Sequence, residues 1–341
     1  MSTNLPIPQW LQSSTGPALA VLGLLMLGAC ASVPSIELAD PQALVWPSES
    51  PRVRLERVIG NRGGSRTIFE RLVGHERGPI FHRPYGVAWD GDDLLVADAG
   101  SARLIRIDSR GAITESADGL FEGLIGVAAC PVGIVATDSR IGRVSLFDRE
   151  LHLVRHLQVG LDRPTGVTCR GRRIFVTETG HHRVVILDLA GADAQDPLVE
   201  RWGRHGRGNG EFNYPTALAL SRNSLLVGDT LNFQVQVLDL ESGGFVGSFG
   251  NLGDSPGELP RLKDLAVDAR GDVWISDAHL DQVSLFGGDG TYLLSIGRSG
   301  GEIGEFSFPA GVAAHPDGRV AVVDSLNQRL VIFRLVEAQR G

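Results

Sequence analysis

From Val53 onward, apolar residues fall in short runs rich in Val, Ile and Leu, broken by Gly, Pro, Asp and Asn. Short runs bounded by turn residues are strand chemistry. The runs come in sets. Pro84-Tyr-Gly86-Val-Ala leads to Leu94-Leu-Val-Ala-Asp98 and then Arg103-Leu-Ile-Arg-Ile-Asp108. The same order recurs from Gly126 to Asp148, from Pro164 to Ile186, from Pro215 to Asp239, from Leu265 to Phe286 and from Pro309 to Phe333. Each second run ends in an acid: Asp98, Asp138, Glu178, Asp229, Asp277 and Asp324, spaced 40, 40, 51, 48 and 47 residues apart.

A fourth run completes the unit. Leu198–Trp202, Phe245–Phe249 and Tyr292–Ile296 each precede a glycine-rich string, starting at Gly203, Gly250 and Gly297. Gly203, Gly206 and Gly210 of the first string recur 47 positions on and again 47 beyond, and each string closes with Gly-Glu-Phe or Gly-Glu-Leu. No Lys-Ser/Thr pair or helix-like segment follows, so these are connecting loops, not phosphate cradles. Four strands per unit at this period predict an all-β, six-bladed β-propeller of four-stranded antiparallel blades. The sixth unit lacks its fourth run, while Val53-Arg-Leu-Glu-Arg-Val-Ile59-Gly60 stands unassigned ahead of the first. That strand is expected to complete the sixth blade and close the ring.

The pattern Pro-x-Gly-Val-Ala, an apolar strand ending in Val-x-Asp, then His181-His182-Arg183 or Asn327-Gln328-Arg329 before a Val-rich strand, resembles the NHL repeat. The resemblance covers about Val53 to Val336 and places the propeller at residues 53–337. It implies a fold and leaves the activity open. Some related propellers, the peptidylglycine amidating lyase among them, hold zinc through histidines in the central channel. The channel here should be lined by Tyr85-Gly86, Ile125-Gly126, Thr165-Gly166, Thr216-Ala217, Lys263-Asp264 and Ala310-Gly311, with no histidine among them.

Ahead of the repeats, Pro17–Ala29 is an uncharged apolar run of signal-peptide length, ending Leu27-Gly28-Ala29-Cys30. The string resembles the bacterial lipobox, although no Lys or Arg precedes the run. It implies cleavage after residue 29, a lipid on Cys30 and, with Ala31 following, delivery to the outer membrane, facing the periplasm or the surface. Residues 30–52, with Pro34, Pro41, Pro47 and Pro51, read as the lipidated cysteine and a tether.

Composition narrows the partners. A net charge of −8 speaks against nucleic acid, whose phosphates need a basic surface. The six acids are expected to accept backbone N–H bonds in the tight turns that follow, helped by the Arg or Gln five residues on, with Glu178 marking a distorted turn. His152 and His156, four apart on an outer strand, share a solvated face. Neither a zinc-like histidine pair nor a Ser-His-Asp set stands out, and no cofactor is expected. Cys130 and Cys169 end the first strands of blades two and three at opposite parity, which would let them face one gap. Facing sheets lie about 10 Å apart away from the axis, so two buried, inert thiols are the expectation.

The function expected is binding or scaffolding of a protein, peptide or glycan at the cell envelope, and the sequence leaves open whether the chain catalyses anything. The alternative is a metal-dependent hydrolase or lyase. The turns after the second strands and the loops between blades should share one face, and Arg83, Tyr85, His181, Asn232, Phe233 and His279 are the candidate binding residues on it, with Arg204 and Arg207 as further charges.

Overall fold

The computed structural model describes residues 35–37, 44–50, 52–60, 79–189 and 197–336. The signal segment, Cys30, most of the tether and residues 61–78 of the long first loop lie outside the described residues. Strands follow the repeat. Blade 1 is β4 (Pro84–Asp90), β5 (Asp93–Asp98), β6 (Arg103–Ile107) and β7 (Ile113–Glu115). Blade 2 is β8 (Leu124–Cys130), β9 (Gly133–Asp138), β10 (Arg143–Phe147) and β11 (Leu153–Leu157). Blade 3 is β12 (Pro164–Arg170), β13 (Arg173–Glu178), β14 (Arg183–Asp188) and β15 (Leu198–Trp202). Blade 4 is β16 (Pro215–Leu220), β17 (Ser224–Asp229), β18 (Gln234–Asp239) and β19 (Phe245–Phe249). Blade 5 is β20 (Leu262–Val267), β21 (Val273–Asp277), β22 (Gln282–Phe286) and β23 (Tyr292–Ile296). Within each blade neighbouring strands pair antiparallel, and the first strand lies innermost.

Blade 6 takes β24 (Pro309–Ala314), β25 (Arg319–Asp324) and β26 (Arg329–Leu335), and its outer strand is β3 (Val53–Gly60) from the far end of the chain. β3 runs antiparallel to β26 from Arg329↔Gly60 to Leu335↔Val53. The ring closes as the sequence predicts. The tether region contributes more than a linker: β1 (Ser35–Glu37) and β2 (Val45–Trp46) both pair with the free edge of β3, and Trp46 meets the ring of Phe333 edge-on at 5.7 Å.

The six inner strands form a ring, each against the next and β24 against β4. The spacing explains the repeat glycine. A Cβ on Gly86, Gly126, Gly166 or Gly311 would lie 2.3–2.6 Å from a carbonyl oxygen of the neighbouring inner strand. Between blades the core is apolar, and Phe212, Leu259 and Phe306 at the ends of the glycine-rich loops are buried plugs.

Candidate functional site

The terminal acids do what their position predicts, and more. Asp98 accepts N–H bonds from Gly100 in its own turn (3.0 Å) and from His82 and Arg83, which lead into β4 (2.8 and 2.7 Å). Asp138 takes Glu122, Arg140 and Ile141, and Asp277 takes Arg261, His279 and Leu280. Glu178, Asp229 and Asp324 likewise accept from Asp162, Asn213 and Ser307. Each acid thus locks the turn after the second strand to the segment leading into the first, on one face. The residue five on joins the acid in blades 3, 4 and 6, through Arg183, Gln234 and Arg329. In blade 1, Arg103 turns instead to Glu115 and Asp118. Glu178 does not distort its turn: Thr179–His181 and Thr230–Asn232 form matching 3-10 turns, ending in left-handed His182 (φ 55) and Phe233 (φ 62).

The glycine-rich loops are closed by their own glutamates. Glu211 accepts from Gly208 N–H (3.1 Å) and pairs with Arg204, and Glu305 repeats this with Glu302 N–H (2.9 Å) and Arg298. A Cβ on Gly206 would lie 2.1 Å from the Glu211 carboxylate, so the space a phosphate would need is filled. Asn232 then ties loop to turn: its amide donates to Gly206 O and to Asp229, both at 2.8 Å. Asn327 does the same with Gly300 and Asp324. Asn232 is therefore part of the scaffold, both N–H groups of its side-chain amide being committed within the fold.

The remaining candidates do share the predicted face. His181 is exposed and bonds Glu178 (3.0 Å), His279 and Arg83 are exposed, and Phe233 is half-buried. Tyr85 lies deeper, lining an axial cavity of about 350 Å³ with Ile125, Thr165, Thr216, Lys263 and Asp264. Of the predicted channel residues, Ala217, Ala310 and Gly311 do not reach this cavity. His152 and His156 are not an outward pair: His156 is half-buried against Ser145 Oγ (2.9 Å), and His152 pairs with Asp148 in a turn.

Two features of the channel escape the repeat pattern. The first is Asp264, which stands where blades 1, 2, 3 and 6 have glycine. Its carboxylate accepts from Leu265 N–H (2.9 Å) and, across the blade gap, from Val312 N–H (3.0 Å). Burial pushes its pKa up to about 7. The second is the mouth. The residues immediately before the inner strands are Arg83, Gly123, Arg163, Tyr214, Arg261 and Phe308, so arginine falls on alternate blades. Arg261 and Lys263 lie over the Phe308 ring at 6.0 and 4.9 Å, and Arg163 lies over Tyr214 at 5.6 Å. Burial lowers the Lys263 pKa first, Arg261 lowers it further, Asp277 works against this and Arg83 adds to the lowering. Burial also raises Tyr85 to about 12, with the Asp264 charge adding to it. Beside them, His182 accepts Tyr214 N–H on Nδ1 (3.0 Å) and meets His205 at 4.4 Å, so Nδ1 carries no proton.

At the opposite end of the channel Cys130 and Cys169 form a disulfide, with Cα atoms 5.8 Å apart. This corrects the expectation of free thiols. Both cysteines end innermost strands, where the blades converge toward the axis, so the spacing that separates sheets further out does not apply.

The match to known proteins agrees with this geometry. The NHL repeat family model matches residues 306–333, from the plug Phe306 through the Asp324 turn to Phe333. This chain is a six-bladed β-propeller that carries an NHL repeat. A 136-residue stretch, 39% of the chain, is 27% identical to Protein brain tumor of Drosophila melanogaster, and spans only 12% of that protein. Among solved structures it resembles a gluconolactonase from Xanthomonas campestris, with a TM-score of 0.61 and 16% identity over 90% of this chain and 99% of that one. It also resembles a chain of a nidogen/laminin complex, with a TM-score of 0.51 and 12% identity over 72% and 90%. These identities establish the shared fold alone. Among the described residues, no three His, Cys, Asp or Glu side chains gather as a metal would require.

Proposed function

We propose that the NHL propeller is an exported binding or scaffold protein, anchored to a membrane through a lipid on Cys30, and that it meets a protein, peptide or glycan of the cell envelope through the loop face. The observation that carries the binding part is the mouth: cations at the entrances of the rigid inner strands, with no carboxylate within ion-pair distance among the described residues. Rigid strands presenting loops and open charge are how scaffolds commonly bind. Three of the large apolar side chains that stand exposed, Leu231, Leu252 and Leu326, belong to the turns and loops of this same face. Export is supported by the Cys130–Cys169 bond, since disulfides persist in oxidising compartments and are rare in the cytosol, and by the lipobox-like sequence.

A metal-dependent hydrolase or lyase is the second reading, favoured by the buried carboxylate of Asp264 in the channel. A single carboxylate is short of the three protein ligands of a catalytic zinc site. The anchor is tested by labelling cells with a palmitate analogue: wild type should label and Cys30→Ala should not. The face is tested by crosslinking the membrane-bound chain and identifying what is captured. Leu231→Asp with Leu252→Asp should abolish recovery of that partner without changing the melting temperature. Val132→Asp, at the β8–β9 turn on the opposite face, should leave it intact. If only Val132→Asp acts, the binding face is the other one.

A further inference from the structure

We propose that the channel mouth is a carboxylate site, in which Arg83, Arg261 and Lys263 seat an acidic side chain of a peptide. This rests on the loop-face reading above and names the chemistry of its centre.

The argument begins with charge left over. Elsewhere the arginines that approach the core are paired: Arg106 with Asp90 and Asp93, Arg183 with Glu178, Arg329 with Asp324, Arg334 with Glu56. Arg83, Arg163, Arg261 and Lys263 have no carboxylate within ion-pair distance among the described residues. The acids that hold the backbone of these segments are already committed. Asp277 holds three backbone N–H groups, that of Arg261 among them, and Asp98 holds three, that of Arg83 among them. Asp264 is bonded to Leu265 and Val312 main chain.

The cations are also close enough to disturb one another. Beyond burial, Arg261 depresses Lys263 most; Asp277 opposes it, Arg83 of blade 1 depresses it further, and Arg261 and Lys263 share the ring of Phe308. Like charges beside a partly desolvated ammonium cost energy that a bound anion would return, because their interaction is stronger at low effective dielectric. The Tyr85 hydroxyl, facing the same space and held protonated, can donate a further hydrogen bond. Arginine and lysine donors around one carboxylate are the stronger class of hydrogen bond.

The surroundings choose the ligand. Three cations share this mouth on a chain whose net charge is −8, so one or two carboxylates fit and a long polyanion does not. Blade 5 is flanked by Leu231 of blade 4, Leu252 of the loop between blades 4 and 5, and Leu326 of blade 6, which are 43%, 62% and 59% exposed. An acidic side chain with apolar neighbours, as in a peptide, matches this arrangement of one charged socket among apolar rims.

The test uses two labelled, end-blocked peptides, Gly-Leu-Glu-Leu-Gly and Gly-Leu-Gln-Leu-Gly, titrated with the mature chain by fluorescence anisotropy. The Glu peptide should bind about tenfold more tightly, the effect of one charge-assisted bond, and the advantage should shrink as salt rises. Arg261→Gln with Lys263→Gln should abolish the preference with the melting temperature unchanged. Lys263→Arg should keep it, as should Arg298→Gln, which removes a rim charge already paired with Glu305. Equal binding of the two peptides, binding of neither, or a preference that survives Arg261→Gln with Lys263→Gln overturns the assignment. So does displacement by inorganic phosphate at far lower concentration than by acetate. If the Glu preference is absent while Leu231→Asp with Leu252→Asp still abolishes partner recovery, only the mouth assignment falls. If both fail, the binding face falls with it.

Discussion

At the scale of single residues, the repeat is a set of positions fixed by contact, and its departures carry the information. The inner-strand glycine exists because the next blade's carbonyl leaves no room. Gly126→Ala would drive a Cβ to 2.3 Å from Thr165 O, and relief requires a shift of the inner strand. A loss of about 1–3 kcal/mol in urea unfolding is expected, as for an overpacked core, whereas Gly91→Ala, at a turn with open space around it, should show no such clash, only the strain of its positive φ. Asp264 breaks the glycine rule and supplies a titration. Its folded pKa is raised from 3.8 to about 7, so the folded chain holds this proton more tightly than the unfolded one. Stability from this group is therefore present at low pH and is lost as pH rises from about 4 to about 7. Asp264→Asn should flatten that part of the pH profile of the melting temperature and stabilise the protein at pH 8 relative to wild type. A variant whose profile parallels wild type from pH 4 to 8 would mean that Asp264 ionises in the fold at no cost.

At the scale of elements, what could be read from the sequence was what repeats. The strings at 47-residue intervals stand out because Gly206, Gly253 and Gly300 each face a glutamate carboxylate of the same loop, and no other residue fits. The acids stand out because each must reach both its own turn and the inner-strand leader. What does not repeat was not legible. Parity placed Cys130 and Cys169 toward one gap, but the distance between two inner strands is a property of the closed ring, not of either segment. The mouth was hidden for the same reason. Arg83 was legible as a charge on the loop face, but Arg163 and Arg261, 80 and a further 98 residues on, read singly as polar loop positions. Only the ring puts them on one circle. Asn232 was legible as a face residue and not as a strut, because its partner Gly206 lies 26 residues away. The disulfide gives this scale its own test. Cys130→Ser with Cys169→Ser should cost about 2–4 kcal/mol, the usual worth of a bond closing a loop of this size, with separation 39. Unfolding of the wild type in denaturant with and without reductant should differ by the same amount, and no difference would mean that the native ring already holds the strands.

For the molecule as a whole, the decisive contact is the one between its two ends. Five blades are built from consecutive strands; the sixth exists only when β3 pairs with β26, so closure is also the step that ties residues 53–60 to residues 329–335. β3 brings Val53, Leu55, Val58 and Ile59, all nearly inaccessible, into the cores on either side of blade 6. At roughly 1.5–3 kcal/mol for each buried side chain of this size, their loss would be comparable with the 5–15 kcal/mol that typically separates folded from unfolded chains. β1 and β2 matter less, covering the edge of β3 and adding the Trp46–Phe333 contact. Two truncations therefore separate the contributions. A chain beginning at Arg52 should melt a few degrees below wild type and keep the wild-type state of association, because β3 still completes the blade. A chain beginning after Gly60 should lose most of its stability and associate, because β26 would then present a long unpaired apolar edge. Equal melting temperatures for the wild type and the shorter chain would show that five blades and a partial sixth hold themselves together, and that the strand from the far end decorates a ring instead of closing it.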